Sequence, residues 1–429
     1  MNISDSELIR AILISNGHQI ISSEADAEVV LMNTCAIREN AHRKIYGRLD
    51  TLRPLKKQRQ AEGRPFVVGV LGCMAQNLKE ELLDHPVANL VVGPDNYRSL
   101  PHLIDRIVQT NHPQEGTPSE ILASLSEYET YSDIAPARIA GVNAWVTIMR
   151  GCDNFCTFCV VPYTRGRERS LPISSILEQL SDLVKSGYKQ ATLLGQNVNS
   201  YCYEGAHFAD LMIQSAQIPG LKRIRFTSPH PKDFPEKLLY AIAEYPNICK
   251  HIHLPLQSGS NRILNRMNRT YTSQEFFDLV KTIRRILPTA TLTTDIIVGF
   301  PTETEAEFQE TVQVMKTVQF NNAFIFKYSE RKGTIAGRDY PDDVSEADKT
   351  DRIVRLNAIQ HEIAFAKHRH YIGQTVQVLI EGMADKGVDW QMGKTEGNLT
   401  VVFPKTVFHP GEFVEVEISE TTAGTLYAG

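Results

Sequence analysis

The chain has 429 residues, of which 42% are hydrophobic and 22% charged, and a formal net charge of -5. That length calls for more than one domain, and the composition excludes both a disordered chain and a uniformly basic nucleic-acid-binding surface, so any basic contact surface must be local. No run of eighteen apolar residues occurs and the opening MNISDSELIR is polar rather than a signal peptide, which predicts a cytoplasmic protein with no membrane contact.

Residues 1–112 read as alternating helix and strand. Ser4-Asp5-Ser6-Glu7 has the form of a helix cap ahead of Leu8, Ala11 and Ile12 at helical spacing. Residues 28–32 (EVVLM) read as a buried strand ending in Asn33-Thr34-Cys35. A basic helix follows, carrying Arg38, His42, Arg43, Lys44, Arg48 and, past Pro54, Lys56, Lys57 and Arg59. Residues 66–71 (FVVGVL) make a second strand, running into Gly72-Cys73, and residues 89–92 (NLVV) a third. This alternation predicts a Rossmann-like parallel α/β domain, with functional groups gathered at the carboxyl ends of its strands. Cys35 and Cys73 stand at two such ends. As a pair they are candidate metal ligands, against the alternative of two idle thiols. Residues 113–135 are polar and turn-rich and read as a linker.

Residues 143–149 (NAWVTIM) form a strand that leads into the string MRGCDNFCTFCVVPYTRGRER, with Cys152, Cys156 and Cys159 in a C-x3-C-x2-C spacing. Thiolates select zinc, copper(I) or iron-sulfur clusters, and a closed zinc site would want a fourth ligand close by, which the next several residues do not supply. A cubane held by three thiolates keeps one iron open for a small ligand. A zinc ribbon with a remote ligand and three buried cysteines are the alternatives. The seven cysteines are odd in number, with three crowded together, a pattern for a reducing compartment rather than a disulfide framework.

Strand patterns recur at residues 190–194, 223–227, 251–254, 291–298 and 322–328. With the strand at 144 they make six β/α units reaching about residue 356, which predicts a partial barrel with its functional loops at strand C-termini. Those ends carry Leu194-Gly195-Gln196-Asn197, Ser228-Pro229-His230-Pro231, Leu254-Pro255-Leu256-Gln257-Ser258-Gly259-Ser260 and the Gly299-Phe300-Pro301 turn. Gln196, Gln257 and Gly299 are candidate cofactor contacts, with ordinary turn-making as the competing explanation. Beyond a helix that ends near residue 371, residues 374–381, 391–395, 399–403 and 412–419 read as the short strands of a small antiparallel β-barrel.

The three-cysteine spacing, with the aromatic Phe158 before its last cysteine, resembles the radical S-adenosylmethionine (radical SAM) superfamily. The longer string GCDNFCTFCVVPYTRGRERS is similar to its methylthiotransferase branch. The strings TLLGQNVNSY, RIRFTSPHPKD, HLPLQSGS and TDIIVGFPTET look most like the bacterial enzymes that add a 2-methylthio group to N6-isopentenyl adenosine of tRNA. Enzymes acting on a ribosomal-protein aspartate or on threonylcarbamoyladenosine are the near alternatives, and an RNA-binding protein with a defective auxiliary site is the more distant one. The resemblance implies an N-terminal methylthiotransferase domain (1–112), the linker (113–135), a radical SAM domain with a partial (β/α)6 barrel (136–367) and a TRAM barrel (368–429).

It further implies two [4Fe-4S] clusters and S-adenosylmethionine. Cys152, Cys156 and Cys159 would hold the catalytic cluster, and Phe158, Gly195, Gln196, Asn197, Gln257 and Gly299 would contact the cofactor. The auxiliary cluster would sit on Cys35 and Cys73. The family places a third cysteine there, in a G-C-x-M-N string before D-S-E, whereas this chain opens at Met1-Asn2 and runs to Asp5-Ser6-Glu7. The first strand and first ligand are therefore expected to be missing, most simply through a misplaced start. The chemistry implied is reductive cleavage of one S-adenosylmethionine to a radical that activates carbon 2 of the adenine, a second S-adenosylmethionine having methylated the sulfur to be transferred. The implied partners are a tRNA anticodon stem-loop and an electron donor such as flavodoxin or ferredoxin, acting on a monomer. Lys394 and Lys405 of the barrel, the basic helix and the Arg165-Gly166-Arg167-Glu168-Arg169 run are candidate phosphate contacts, with a solvated charged face as the bland reading.

Overall fold

The computed structural model describes residues 1–35, 39–109, 119–139, 141–385 and 389–429, with the backbone alone at 39–41. Contacts divide the chain into two units. One comprises residues 1–139, 150–169 and 331–334, and the other residues 140–149, 170–330 and 335–429. Among the described residues no helix is long and apolar enough to cross a membrane.

The first unit is built on four parallel strands, β1 (Val29–Thr34), β2 (Val67–Gly72), β3 (Leu90–Val92) and β4 (Glu120–Leu122), paired in that order. Such a sheet is stable only with both faces covered. Helices α1 (Asn2–Ser15) and, later in the chain, Leu100–Gln109 cover one face with Leu8, Ile12, Leu103 and Ile104; α2 (Glu39–Ala61) covers the other with Leu49 and Leu52. Two expectations change here. Helix α1 begins at Asn2 rather than after a Ser4 cap, so Asp5 and Glu7 are buried helical residues instead of capping groups. The segment expected as a linker contributes β4, and its Tyr131 is buried, its hydroxyl donating to the Pro94 carbonyl at 3.0 Å and accepting from Tyr97 N at 3.0 Å. Residues 113–118 of that segment lie outside the described residues.

The basic helix also differs from its sequence reading. It runs through Pro54, as the sequence reading has it, but two of its cations point inward. Lys56 donates to the carbonyls of Pro86 and Val87 and to Asn89 Oδ1, at 2.9 to 3.1 Å, and burial pushes its ammonium pKa down to about 8. Arg59 is buried against the Ala25 carbonyl. Neither is available to a phosphate, and Arg38 lies outside the described residues.

The second unit contains six parallel strands: β5 (Asn143–Thr147), β6 (Gln190–Leu194), β7 (Arg223–Phe226), β8 (His251–His253), β9 (Thr291–Val298) and β10 (Asn322–Lys327). They form two three-stranded sheets joined by the Ile224–Ile248 bridge, so β5 and β10 are the outer edges of a six-stranded partial barrel. Its strands alternate. Ala144, Val146, Ala191, Leu193, Ile224 and Ile252 belong to the apolar core under the helices, and Ala323 and Ile325 to a second core. The opposite face carries Asn143, Gln190, Thr192, Arg225, Thr293 and Asp295, linked in part by hydrogen bonds: Thr192 Oγ1 and Gln190 Nε2 donate to Asn143 Oδ1, and Arg225 Nε donates to Gln190 Oε1. A packed barrel interior would be filled by branched apolar side chains. A polar inner face marks a lumen built to hold a ligand.

The C-terminal strands β11 (Thr375–Met383), β12 (Trp390–Lys394), β13 (Thr400–Pro404), β14 (Phe413–Thr421) and β15 (Leu426–Ala428) close into a small barrel in the order β11-β12-β13-β15-β14. The last strand has no counterpart in the sequence reading and is the one that closes the barrel. The barrel is seated under the N-terminal ends of β7 and β9. Arg223 donates to the carbonyls of Lys394 and Gln377, Arg225 to those of Glu396 and Thr395, and Thr291 Oγ1 to that of Gly397, over 2.6 to 3.2 Å. Both arginines are buried. Hydrogen bonds from a charged donor contribute about 1.5–3 kcal/mol each, and removing the donor strands the buried acceptors. Arg225→Ala is therefore expected to cost about 3 kcal/mol in denaturant unfolding and to expose the barrel junction to limited proteolysis; an unchanged midpoint and cleavage pattern would show that the seat is held by other contacts.

Candidate functional site

Two groups of functional side chains emerge, one in each unit. In the first unit β1 and β2 are in register with Thr34 opposite Gly72, so Cys35 and Cys73 leave adjacent strands one residue beyond a paired position. The expected juxtaposition at the strand ends is what the fold provides. Gly72 has φ +91°, and a Cβ there would lie 2.6 Å from both Asn33 Oδ1 and the Thr34 carbonyl, so only glycine allows this turn. Cys73 opens a short helix, α3 (Cys73–Leu78), and is buried against Val160.

The segment carrying Cys152, Cys156 and Cys159 belongs to this same unit. Cys152 N donates to the Gly166 carbonyl at 3.2 Å, Cys159 N donates to the Cys156 carbonyl at 2.9 Å, and Phe155 takes φ +46° between them. Gly151 cannot carry a side chain, because a Cβ would lie 1.9 Å from the Arg167 carbonyl oxygen. Arg167 and Asp153 close the base of the loop with two hydrogen bonds of 2.7 and 3.1 Å. Burial pushes the Cys152 thiol up to about 11, against hydrogen bonds from Asn154. Phe158 and Cys159 are half-buried on the same loop.

The ends of the loop are tied down by carboxylates. Asp5 is completely buried and accepts from Arg150 Nη2 at 2.9 Å and Arg165 Nη2 at 2.5 Å. Burial acts to raise the Asp5 carboxyl, and the two guanidiniums override it and hold the group below the usual carboxylate range. Arg150 also lies over the Tyr131 ring, 4.7 Å from its centroid. Arg165 Nε donates to Cys73 Sγ at 3.0 Å, and Arg169 forks onto Asp95 at 2.9 and 3.1 Å. The reading of Arg165 and Arg169 as phosphate contacts is thus corrected: both are buried and committed to internal anions, and the exposed Arg167 is paired with Asp153.

The donor chemistry tests the two expected clusters. No disulfide joins any of the seven cysteines. Among the described residues no three His, Cys, Asp or Glu side chains gather as they would around a single ion. Three thiols on one loop with no fourth donor fit a cubane, which takes one thiolate on each of three irons, better than zinc. At the strand edge the described thiols are Cys35 and Cys73, and Asp5 is already held by its arginines. Of the other thiols Cys249 is buried, as a structural cysteine should be, whereas Cys202 is exposed.

In the second unit the strand-end strings interlock. Asn199 Nδ2 donates to the His230 carbonyl at 2.8 Å, His230 N donates back to Asn199 Oδ1 at 2.7 Å, and Asn197 Nδ2 donates to Asp233 at 3.1 Å. Gln257, at φ +68°, bridges to β9 through Asp295 O and Ile297 N, both at 2.9 Å. The side-chain oxygens of Gln196, Asn197 and Gln257 are buried and accept no hydrogen bond, an arrangement that costs free energy unless a donor arrives. The ammonium of S-adenosylmethionine has three such donors, so these residues fit the cofactor. Gly195 and Gly299 have a packing reason: a Cβ at either would strike Met149 at 2.6 Å or Lys349 at 2.3 Å. Behind Gly299, Glu303 accepts from its N–H at 2.6 Å and from Arg352 at 2.8 Å, and burial still raises its carboxyl to about 7. Glu303, Arg352 and Lys349 escaped the sequence reading because only the folded turn gives them a role.

With this geometry in place, the chain can be compared with known proteins. Residues 146–315 match the radical SAM superfamily, residues 1–93 the uncharacterized protein family UPF0004, and residues 369–429 the TRAM domain. The tRNA-2-methylthio-N(6)-dimethylallyladenosine synthase of Bacteroides fragilis is 44% identical over 99% of this chain and 92% of its own length. Those of Bacteroides thetaiotaomicron and Chloroherpeton thalassium are each 45% identical over 99% of this chain and 93% of theirs. The chain belongs to this synthase family. Family members are radical SAM methylthiotransferases, using a [4Fe-4S] cluster and S-adenosylmethionine, and they carry an auxiliary cluster. A solved radical SAM methyltransferase, TsrM from Kitasatospora setae, shares the fold with a TM-score of 0.58 at 14% identity, covering 79% of this chain and 72% of that one.

Two predictions follow from the geometry. Asp5→Asn leaves two buried guanidiniums without their anion, and breaking such a pair costs about 3–5 kcal/mol; urea unfolding should report a loss of that size, and a loss under 1 kcal/mol would contradict the buried triad. His230 is buried, edge-on to Tyr271 at 5.6 Å, and burial with Arg269 and Lys232 nearby lowers its pKa to about 2. Its folded pKa lies below the unfolded value, so the unfolded chain alone takes up the proton as pH falls below about 6.5. The fold should lose about 2 kcal/mol through this group between pH 7 and pH 5. His230→Gln should shrink the drop in melting temperature over that interval, and an identical drop in both proteins would refute the assignment.

Proposed function

We propose that this protein adds a methylthio group to carbon 2 of N6-isopentenyl adenosine next to the anticodon of tRNA, in the cytoplasm, as a monomer reduced by a flavodoxin or ferredoxin. The observation that carries this reading is identity of 44–45% to synthases of that name over 99% of the chain, spanning the N-terminal, radical SAM and TRAM segments together. Cys152, Cys156 and Cys159 would hold the catalytic cluster, which when bound supplies an electron and an open iron site for S-adenosylmethionine. The oxygens of Gln196, Asn197 and Gln257 would accept hydrogen bonds from the cofactor ammonium, and Glu303 and Arg352 brace the turn at Gly299.

The polar groups on the inner face of the partial barrel would hydrogen-bond and orient what enters. A base inside a stacked anticodon loop must be unstacked to reach such a lumen. The TRAM barrel offers Lys405, which is exposed, for RNA contact; Lys394 is half-buried with its ammonium donating to Thr400 Oγ1 at 2.6 Å. Cys35 and Cys73, with Arg165 donating to the latter, would be among the thiols that hold the auxiliary cluster.

In a strain lacking the gene, nucleoside analysis of tRNA should show loss of the 2-methylthio derivative and accumulation of N6-isopentenyl adenosine; unchanged nucleosides would sink this function. Anaerobic reconstitution should yield about eight irons per chain if both clusters assemble and about four if the auxiliary set is too small. Cys156→Ala should abolish reductive cleavage of S-adenosylmethionine.

A further inference from the structure

The lumen holds one feature that the cofactor contacts leave unexplained. Among the described residues β10 pairs with β9 and β5 with β6, so the six strands do not close on themselves. On β10 the residues facing away from the helices include Phe324 and Phe326, 47% and 38% exposed, although Ala323 and Ile325 between them are packed in a core. Two large, half-exposed aromatics on a sheet edge, on the lumen face beside Ile297, the register partner of Phe326, are costly in water and call for an apolar occupant. Phe324 stands edge-on to His253 at 6.0 Å, and His253 is held between Thr293 Oγ1 at 2.9 Å and Asp295 Oδ2 at 3.2 Å. Asp295, 30% exposed, adds an acceptor at the level of Phe324, its register partner. This level lies three residues, about 10 Å, below the end of β10, whereas the unsatisfied oxygens of Gln196, Asn197 and Gln257 sit on loops beyond the strand ends.

We propose that Phe324 and Phe326 form the wall that receives the N6-dimethylallyl group of the target adenosine, with Asp295 accepting from the N6–H. The inference rests on the function proposed above. A five-carbon branched alkenyl group is the apolar part that distinguishes the modified adenosine from its unmodified form, and exposed aromatic surface beside one acceptor matches that group and its N–H. S-adenosylmethionine, charged at both ends of its methionine part, matches the strand-end oxygens instead. Discrimination follows: the wall gains from burying the alkenyl group and gains nothing from an unmodified adenosine, a difference of about tenfold or more for several carbons in an apolar pocket.

The test uses the full chain, reconstituted anaerobically, and two anticodon stem-loop RNAs that differ only in carrying N6-dimethylallyl adenosine or adenosine. Dissociation constants by fluorescence anisotropy should show wild type preferring the modified RNA by at least tenfold. The Phe324→Ala/Phe326→Ala variant should lose that preference through weaker binding of the modified RNA, and the Phe324→Leu/Phe326→Leu variant should retain most of it, which a merely structural role would not produce. A preference left intact in the alanine variant overturns the proposal, as does weakened binding of S-adenosylmethionine with the RNA preference unchanged, since the wall would then belong to the cofactor. Wild type that methylthiolates tRNA without preferring the modified RNA also overturns the wall while the function stands. Wild type that modifies no tRNA removes the function itself.

Discussion

Asp5 is the residue on which the first unit turns. Removing a carboxylate from water costs several kcal/mol even after relaxation, and the charge survives in the interior only because two guanidiniums reach it. Those guanidiniums belong to Arg150 and Arg165, which bracket the three cysteines. The ion triad therefore does more than neutralise charge: it fixes both ends of the cysteine loop to the first turn of α1, and through Arg165 it brings that loop against Cys73. Asp95 and Arg169 repeat the device four residues further along the chain from Arg165. Because ion pairs of this kind reward one geometry only, they explain why the segment 150–169 associates with the N-terminal sheet even though it follows a strand of the partial barrel in sequence.

The second unit solves a different problem. Its strands are uniformly apolar toward the helices and carry most of their polar groups on the lumen face, so stability comes chiefly from one face and function from the other. The lumen network of Asn143, Gln190, Thr192 and Arg225 satisfies its own polar groups, and at the strand ends the accounting stops short, with three amide oxygens lacking donors. Incomplete satisfaction at one rim, in a face that is otherwise well bonded, is a signature of a ligand site rather than of poor packing.

Much of this was legible in one dimension. The strands at Gln190–Leu194 and Thr291–Val298 have the bounds read from the sequence, and the placement of Cys35 and Cys73 at the ends of neighbouring strands follows from strand-end logic alone. What was not legible depended on distant partners or on short elements. Arg165 and Arg169 sit in a basic run that looks like a solvated surface until Asp5, 160 residues away, and Asp95, 74 away, are brought to them. Lys56 and Arg59 were hidden in the same way by carbonyls that face α2. Strands β4 and β15 have three residues each, too few for alternation to register, and β4 lies in a stretch whose polar composition reads as a connection. Glycines at 195 and 299 looked like ligand contacts, and their lack of a side chain proves to be demanded first by Met149 and Lys349.

The seat of the C-terminal barrel has a consequence for how this architecture can change. Arg223 and Arg225 grip main-chain carbonyls at residues 377 and 394–396, and Thr291 grips another at 397. Every residue type presents the same carbonyl, so this part of the attachment reads the path of the backbone; side chains enter at Phe413, whose ring lies 4.8 Å from the Arg223 guanidinium, at Glu396, paired with Lys250, and at Gly397, where a Cβ would lie 2.8 Å from Thr291. Substitutions over the rest of the barrel surface can accumulate without loosening it from its support, provided the hairpin keeps its course. The module is thereby mechanically fixed and chemically replaceable, which lets one catalytic body be fitted with differently tuned RNA-facing surfaces.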